Sequence, residues 1–202
     1  MIQLSVFDNH NFSESGMNTY TIKNMVCRRC ITAVESIFHE TGVNPTLVRL
    51  GEVVTEKPLT DDQTKLLREK LNEAGFELLD DIRKQQIERI KTLIIDHVHH
   101  RNEEKFNYTD VLSKELHREY SSLSKLFSET EGITIEQFVI LQKIEKVKEL
   151  LVYDELSLGE IADKLGYSSV AHLSGQFKKI TGFTPTQFKA QGIGSRKHLD
   201  HL

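Results

Sequence analysis

Residues 157–188, SLGEIADKLGYSSVAHLSGQFKKITGFTPTQF, decide how the rest of the chain is read. Leu158, Ile161, Ala162 and Leu165 fall on one helical face. Gly166 offers the φ > 0 residue that ends such a helix, and Ser168 or Ser169 can N-cap the next one. Val170, Leu173, Phe177 and Ile180 give that second helix an apolar stripe. Gly182 stops it and Pro185 follows three residues later. Ala162 is small where two helices would cross. The pattern is helix, tight turn, helix: a unit whose second helix can enter a DNA major groove, or an ordinary antiparallel pair inside a core.

A second copy weighs for the first alternative. At an offset of 50 residues Leu123 aligns with Leu173, Ser124 with Ser174, Phe127 with Phe177 and Gly132 with Gly182. Thr134, Gln137 and Phe138 likewise align with Thr184, Gln187 and Phe188. Both copies read L-S-x-x-F-x4-G-x-T-x-x-Q-F, an internal repeat. The partner helix of the first copy is expected at Tyr108–Leu116, with Val111, Leu112 and Leu116 inward. Between the copies, Ile135, Phe138, Val139, Ile144, Val147, Leu150 and Leu151 recur at helical spacing without a Gly or Pro. A helix over that span is ~28 Å long at ~1.5 Å per residue. Successive major grooves on one face of B-DNA are ~34 Å apart, so a stiff rod of this length suits two reading helices about one turn apart.

Ala162, Gly166, Phe177, Gly182 and Pro185, with the doubled unit and its joining helix, resemble the DNA-binding domain of AraC/XylS-type transcription regulators. The resemblance covers residues 107–190 and implies an all-α double helix-turn-helix domain that reads double-stranded DNA. The first copy departs from the pattern: His117 stands at the turn glycine, Arg118 at an apolar place and Glu119 at the cap. In the second reading helix the expected contacts are Ser169, Ala171, His172, Gly175, Gln176, Lys178 and Lys179. His172 and Gln176 are the base-edge readers, since Gln pairs bidentately with adenine, and Ala171 suits a thymine methyl. Lys178 and Lys179 suit phosphates. In the first unit the outward set is Tyr120, Ser121, Ser122 and Lys125, with Ser124 beside them.

Upstream, residues 19–81 read β-α-β-β-α-β, a ferredoxin-like order. Tyr20 and Ile22 alternate as a strand, and Ile31, Val34, Ile37 and Phe38 form a helix stopped by Gly42. Leu47 to Val54 hold one or two strands, with Gly51 read as a bulge. Thr60 and Gln63 make a capping box for a helix through Leu66, Leu67 and Leu71, and Phe76, Leu78 and Leu79 form a last strand. Met25-x-Cys27-x-x-Cys30 opens the first helix and Ala74-Gly75-Phe76-Glu77 closes the second. These motifs resemble a heavy-metal-associated (HMA-like) domain. The resemblance implies that Cys27 and Cys30, with Met25 nearby, hold copper(I) or another soft metal. Apart from any family, two thiols at i and i+3 can share one soft ion. With Arg28 and Arg29 and a helix N-terminus beside them favouring thiolate, the same features would also suit a reversible disulfide. They can also be small packing residues.

The whole therefore reads as α+β. Residues 1–18 are a poorly patterned extension, with Met17 a sensible alternative start. An HMA-like unit follows at 19–81, a linker helix at 82–106, the DNA-binding unit at 107–190 and a tail at 191–202. The linker carries an Ile87, Ile90, Leu93, Ile94, Ile95 and Val98 stripe, a candidate homodimer seam, as is the N-terminal unit. His97, His99 and His100 end it, and His198 and His201 fall in the tail.

With 38 % hydrophobic and 28 % charged residues the composition is that of a globular protein. No apolar run approaches the ~18 residues of a membrane span. Two cysteines make no secreted disulfide framework, and the cytoplasm is expected. Net charge is −4 overall. Residues 107–202 carry 12 basic and 13 acidic groups, so the reading half has a weak field and modest non-specific DNA affinity is expected. No paired acid/base, phosphate loop or catalytic triad marks an enzyme. The expected function is sequence-specific transcription regulation, with RNA polymerase a further candidate partner and a soft-metal or redox sensor at the N-terminus. The alternative is a metal-trafficking or adaptor protein whose helical half docks a protein partner.

Overall fold

The computed structural model describes residues 17–101 and 107–191. Most of the expected extension, and the tail with His198 and His201, lie outside them. β1 (Asn18–Lys23) begins inside the stretch read as extension. It is followed by α1 (Arg28–Glu40), β2 (Leu47–Arg49), β3 (Glu52–Thr55), α2 (Asp61–Glu73) and β4 (Glu77–Leu79). The strands form one antiparallel sheet in the order β2-β3-β1-β4. The two-fold alternation of strand side chains sends Ile22, Val53 and Leu78 to one face, where they meet Val34, Phe38, Leu67 and Leu71 of α1 and α2. The Thr60–Gln63 capping box forms as expected and starts α2. Two details differ. Leu66 is 42 % exposed, because the buried stripe of α2 runs through Leu67 and Leu71. Gly51 is no bulge: it sits at φ 73° in the two-residue hairpin joining β2 to β3.

The opposite sheet face is met by α3 (Ile82–Ile95), which packs on β1 and β4. A π-helical turn, Asp96–His100, continues it. Here the linker reading is corrected. Ile87, Ile90, Ile94, Ile95 and Val98 are all buried. They pack with Leu112 of α4 (Tyr108–Leu116), Leu123 and Phe127 of α5 (Tyr120–Glu131), and Ile135, Phe138 and Val139 of α6 (Ile135–Tyr153). The stripe taken for a dimer seam is used up inside the chain, and α3 is a scaffold helix of the first helix-turn-helix unit. Lys91 reaches Glu131 at 2.6 Å and Arg118 donates to Gln86 at 3.0 Å, tying α5 and its preceding turn to α3.

α6 then changes partners along its length. Its second half places Ile144, Val147 and Leu151 against Ile161 and Ala162 of α7 (Leu158–Lys164) and Leu173 and Phe177 of α8 (Val170–Thr181). Phe188 of α9 (Pro185–Gln191) closes this second core. The repeat is thus longer than the matched motif. Ile94 and Ile144, 50 residues apart, are both fully buried scaffold positions. Phe127 meets Phe138 at 5.7 Å between ring centroids, and their counterparts Phe177 and Phe188 meet at 5.5 Å. The repeated T-x-x-Q is a cap: Thr134 and Gln137 form a complete capping box at α6, and Thr184 and Gln187 exchange the same bonds at 2.9 and 3.2 Å at α9. Asp154, at φ 57°, ends α6 and pairs with Lys189 of α9.

Candidate nucleic-acid interface

The second reading helix, α8, is placed by its first turn. Gly166 takes φ 68°, and Tyr167 N–H bonds back to Ala162 at 2.8 Å, closing α7. Ser169 is the N-cap of α8, accepting from the His172 N–H at 3.1 Å. Ser168 Oγ lies 3.1 Å from His172 Nδ1, and the buried Tyr167 ring stands edge-on to the imidazole at 5.3 Å. The Ser168 contact uses Nδ1 and leaves Nε2 of the exposed His172 for another partner. Lys143 of α6 sits 5.5 Å from the Tyr167 ring centroid. Burial pushes the Tyr167 hydroxyl up to about 12, so it remains a donor at any physiological pH. That donor goes to Gln176 Oε1 at 2.7 Å.

Tyr167 occupies one of the two lone pairs of that oxygen and orients the carboxamide, leaving the second lone pair and the amide N–H2 of the half-buried Gln176 for other partners. Two expectations are corrected on this helix. Val170 and Ile180 are 39 % and 41 % exposed, so only Leu173 and Phe177 form its buried stripe. Val170 therefore joins Ala171 as apolar surface at the leading end of the helix. Nothing in the sequence separated Val170 from a core residue, because a β-branched side chain at helical spacing reads as core. Tyr167 was missed as well: it lies outside the repeated motif. Gly175 is exposed with open space where a side chain would begin, and Lys178 and Lys179 are exposed in the last turn.

The first reading helix, α5, is built less firmly. His117 takes the left-handed conformation at φ 50° in place of the glycine. Only Arg118 separates it from the N-cap Glu119, a turn one residue shorter than its counterpart between Gly166 and Ser169. Glu119 makes no side-chain cap bond. Tyr120 is half-buried against Tyr108 at 6.1 Å, so this candidate contact belongs largely to the core. Ser121, Ser122 and Lys125 are exposed as expected, but Lys125 lies 4.0 Å from Glu129 of its own helix. Both α5 and α8 pack on α6.

Residues 112–191 match the family model of a helix-turn-helix domain. Over 69 residues the chain is 36 % identical to the xylose operon regulatory protein of Escherichia coli K12, covering 34 % of this chain and 18 % of that one. Over 106 residues it is 28 % identical to the uncharacterized HTH-type transcriptional regulator YtdP of Bacillus subtilis, covering 52 % and 14 %. The chain spans less than a fifth of the length of these relatives. Among solved structures, the C-terminal domain of AraT, a response regulator from Geobacillus stearothermophilus, aligns at 25 % identity and a TM-score of 0.47, over 55 % of this chain and 88 % of that one. The DNA-binding domain of AdpA, in complex with a target DNA, aligns at 22 % and 0.45, over 52 % and 91 %. The C-terminal part of the chain is an AraC-type helix-turn-helix DNA-binding domain, with AraC/XylS-type regulators among its homologues.

The paired thiols lie apart from this interface, at the start of α1. Cys27 and Cys30 are half-buried with their sulfurs 3.4 Å apart. Burial favours a neutral Cys27, but hydrogen bonds from the Cys30 N–H and thiol and from Arg29 outweigh it, so its thiol is held below the ordinary value. Burial, aided by the neighbouring Cys27 sulfur, pushes Cys30 up. Met25, two residues before Cys27, is 1 % exposed and packs in the N-terminal core. Among the described residues no group of three His, Cys, Asp or Glu side chains could hold an ion. His99 is directed at Gln142 at 3.0 Å and His100 at the Val26 carbonyl at 2.8 Å, so the histidines brace α6 and the thiol loop.

Proposed function

We propose that the protein is a sequence-specific transcription regulator that grips double-stranded DNA with α8 and, more weakly, α5. The observation that carries this reading is the anchored His172 edge on a helix whose flank is basic and free of acids. In α8, His172 and the Gln176 amide would meet base edges, Val170 and Ala171 thymine methyls, and Lys178 and Lys179 phosphates. α6 holds both reading helices and is long enough to separate them by about one duplex turn. The asymmetry of the two heads predicts a site with one well-defined half and one degenerate half.

In the same reading the N-terminal unit is a ferredoxin-like, HMA-like sensor. Two thiols with no third donor beside them among the described residues suit a two-coordinate soft ion such as copper(I), or a dithiol–disulfide couple, better than a tetrahedral zinc site. The loop before Cys27 is fixed to the first helix-turn-helix unit. Asn24 N–H bonds to Glu88 at 3.1 Å, His100 meets the Val26 carbonyl, and Val26 packs in the first helical core. A change at the thiols therefore has a short path to α3.

The test is selection of binding sites from random duplexes with the full chain, followed by affinity against salt. A recovered motif and a log–log salt slope that falls by about 0.9 for each of Lys178→Ala and Lys179→Ala support the reading. Failure to enrich any sequence would refute it. Copper(I) or oxidant acting equally on the wild type and on the Cys27→Ser, Cys30→Ser variant would refute the sensor half.

A further inference from the structure

A cleft of ≈ 420 Å³ lies between the N-terminal unit and the first reading head. Its apolar lining comes from both sides: Ile31 and Leu50 from the first, Leu93 and Leu116 from the second. Its rim carries Arg28, Arg49, Arg89 and Arg101. Three of these guanidinium groups are accounted for. Glu52 accepts from Arg49 at 3.0 Å and lies 3.6 Å from Arg89, while Arg101 meets Asp96 at 2.7 Å. Among the described residues no carboxylate pairs with the exposed Arg28 side chain.

Two local features shape the cleft. Gly51 presses the β2–β3 hairpin onto α3 so closely that a Cβ there would meet Thr92 Oγ1 at 2.7 Å. The π-helical turn re-aims the end of α3, burying His97 and Val98 while Asp96 and His100 line the cleft. Such turns are frequent at functional sites.

We propose that this cleft binds a small organic anion, an apolar body ending in a carboxylate or phosphate, whose occupancy adjusts the seat of the first reading head. The volume falls in the range of small-ligand sites. Ile31, Leu50, Leu93 and Leu116 supply an apolar patch in a lining that is otherwise polar, with four arginines against the carboxylates of Glu52, Asp96 and Glu115. Arg28 presents a planar fork matched to an oxyanion. The ligand would touch walls from both units and so favour the arrangement in which they are apposed. Leu116 is the last residue of α4, next to the left-handed His117 and the uncapped start of α5. The cleft thus abuts the less firmly held of the two reading helices. Ligand binding here does not depend on the thiols; only its effect on DNA rests on the function proposed above.

The experiment is calorimetry on the full chain with benzoate, phenyl phosphate and inorganic phosphate, without DNA. Saturable binding of benzoate or phenyl phosphate is expected, at least tenfold tighter than inorganic phosphate, with an upward shift of the unfolding midpoint. Arg28→Ala should weaken it at least tenfold, and Cys27→Ser with Cys30→Ser should leave it unchanged. The stronger of the two aromatic probes identifies the head group. No saturable binding of either aromatic probe, or binding indifferent to Arg28→Ala, overturns the proposal. Arg28→Lys separates fork from charge: it should restore less than half of the lost affinity, and full recovery would overturn the bidentate role. Binding that leaves affinity for a selected DNA site unchanged would overturn the coupling to α5.

Discussion

Gly175 is where a single residue most limits α8. It lies mid-helix, is exposed, and has open space at its Cβ position. Gly costs ~0.8–1.0 kcal/mol relative to Ala inside a helix. Gly175→Ala is therefore expected to raise unfolding stability by about 1 kcal/mol in denaturant melts. His99 makes a second prediction, in pH. Burial holds its imidazole down from 6.5 to about 4, against a smaller upward pull from Gln142. The unfolded chain then takes up a proton first, so the stabilisation is complete above about 6.5 and is lost as pH falls toward 4. At 1.36 kcal/mol per pKa unit the loss is at most ~3 kcal/mol. Melts at pH 7 and pH 4.5 should show a steeper decline for wild type than for His99→Gln. At this scale the sequence disclosed His172, Lys178 and Lys179, because exposed polar residues follow from helical phase. It did not disclose the tie between Tyr167 and Gln176, since a hydrogen bond nine residues apart depends on how the turn brings α8 against α6.

Among the elements, α6 serves two cores, and its start is set by a cap. Thr134 and Gln137 satisfy each other's backbone donors at its N-terminus. Removing such a cap costs ~1 kcal/mol. Thr134→Ala is expected to lower stability by about that amount and to weaken both reading heads. Thr184→Ala, at the short α9, should affect chiefly α8. Hydrogen exchange of α5 and α8 amides distinguishes the two outcomes. The periodicity that marked α6 was legible, as was its uninterrupted length. That its apolar residues serve opposite partners in its two halves was not, because periodicity reports which positions are buried and is silent on what buries them.

For the molecule as a whole, the decisive feature is that α3 belongs to the DNA-binding half. A fragment of residues 107–191 would leave Leu112, Leu123, Phe127 and Phe138 without Ile87, Ile90 and Ile94. Burying one such side chain is worth ~1.5–3 kcal/mol. A fragment of residues 82–191 is expected to unfold cooperatively, and one of residues 107–191 to be less stable by several kcal/mol or unfolded. Thermal melts of the two fragments decide it. Equal stability would return α3 to the role of a linker.

The sequence by itself determined the repeated helix-turn-helix pattern, the caps and glycines that punctuate it, and the β-α-β-β-α-β order upstream. These follow from short-range rules of period, capping and backbone freedom that act within a few residues. Only the tertiary structure decided that α3 is scaffold, that Val170 faces outward, that Met25 is core and that a cleft opens between the two units. Each of these depends on which surface another element occupies, and contacts between residues distant along the chain leave no local period to read.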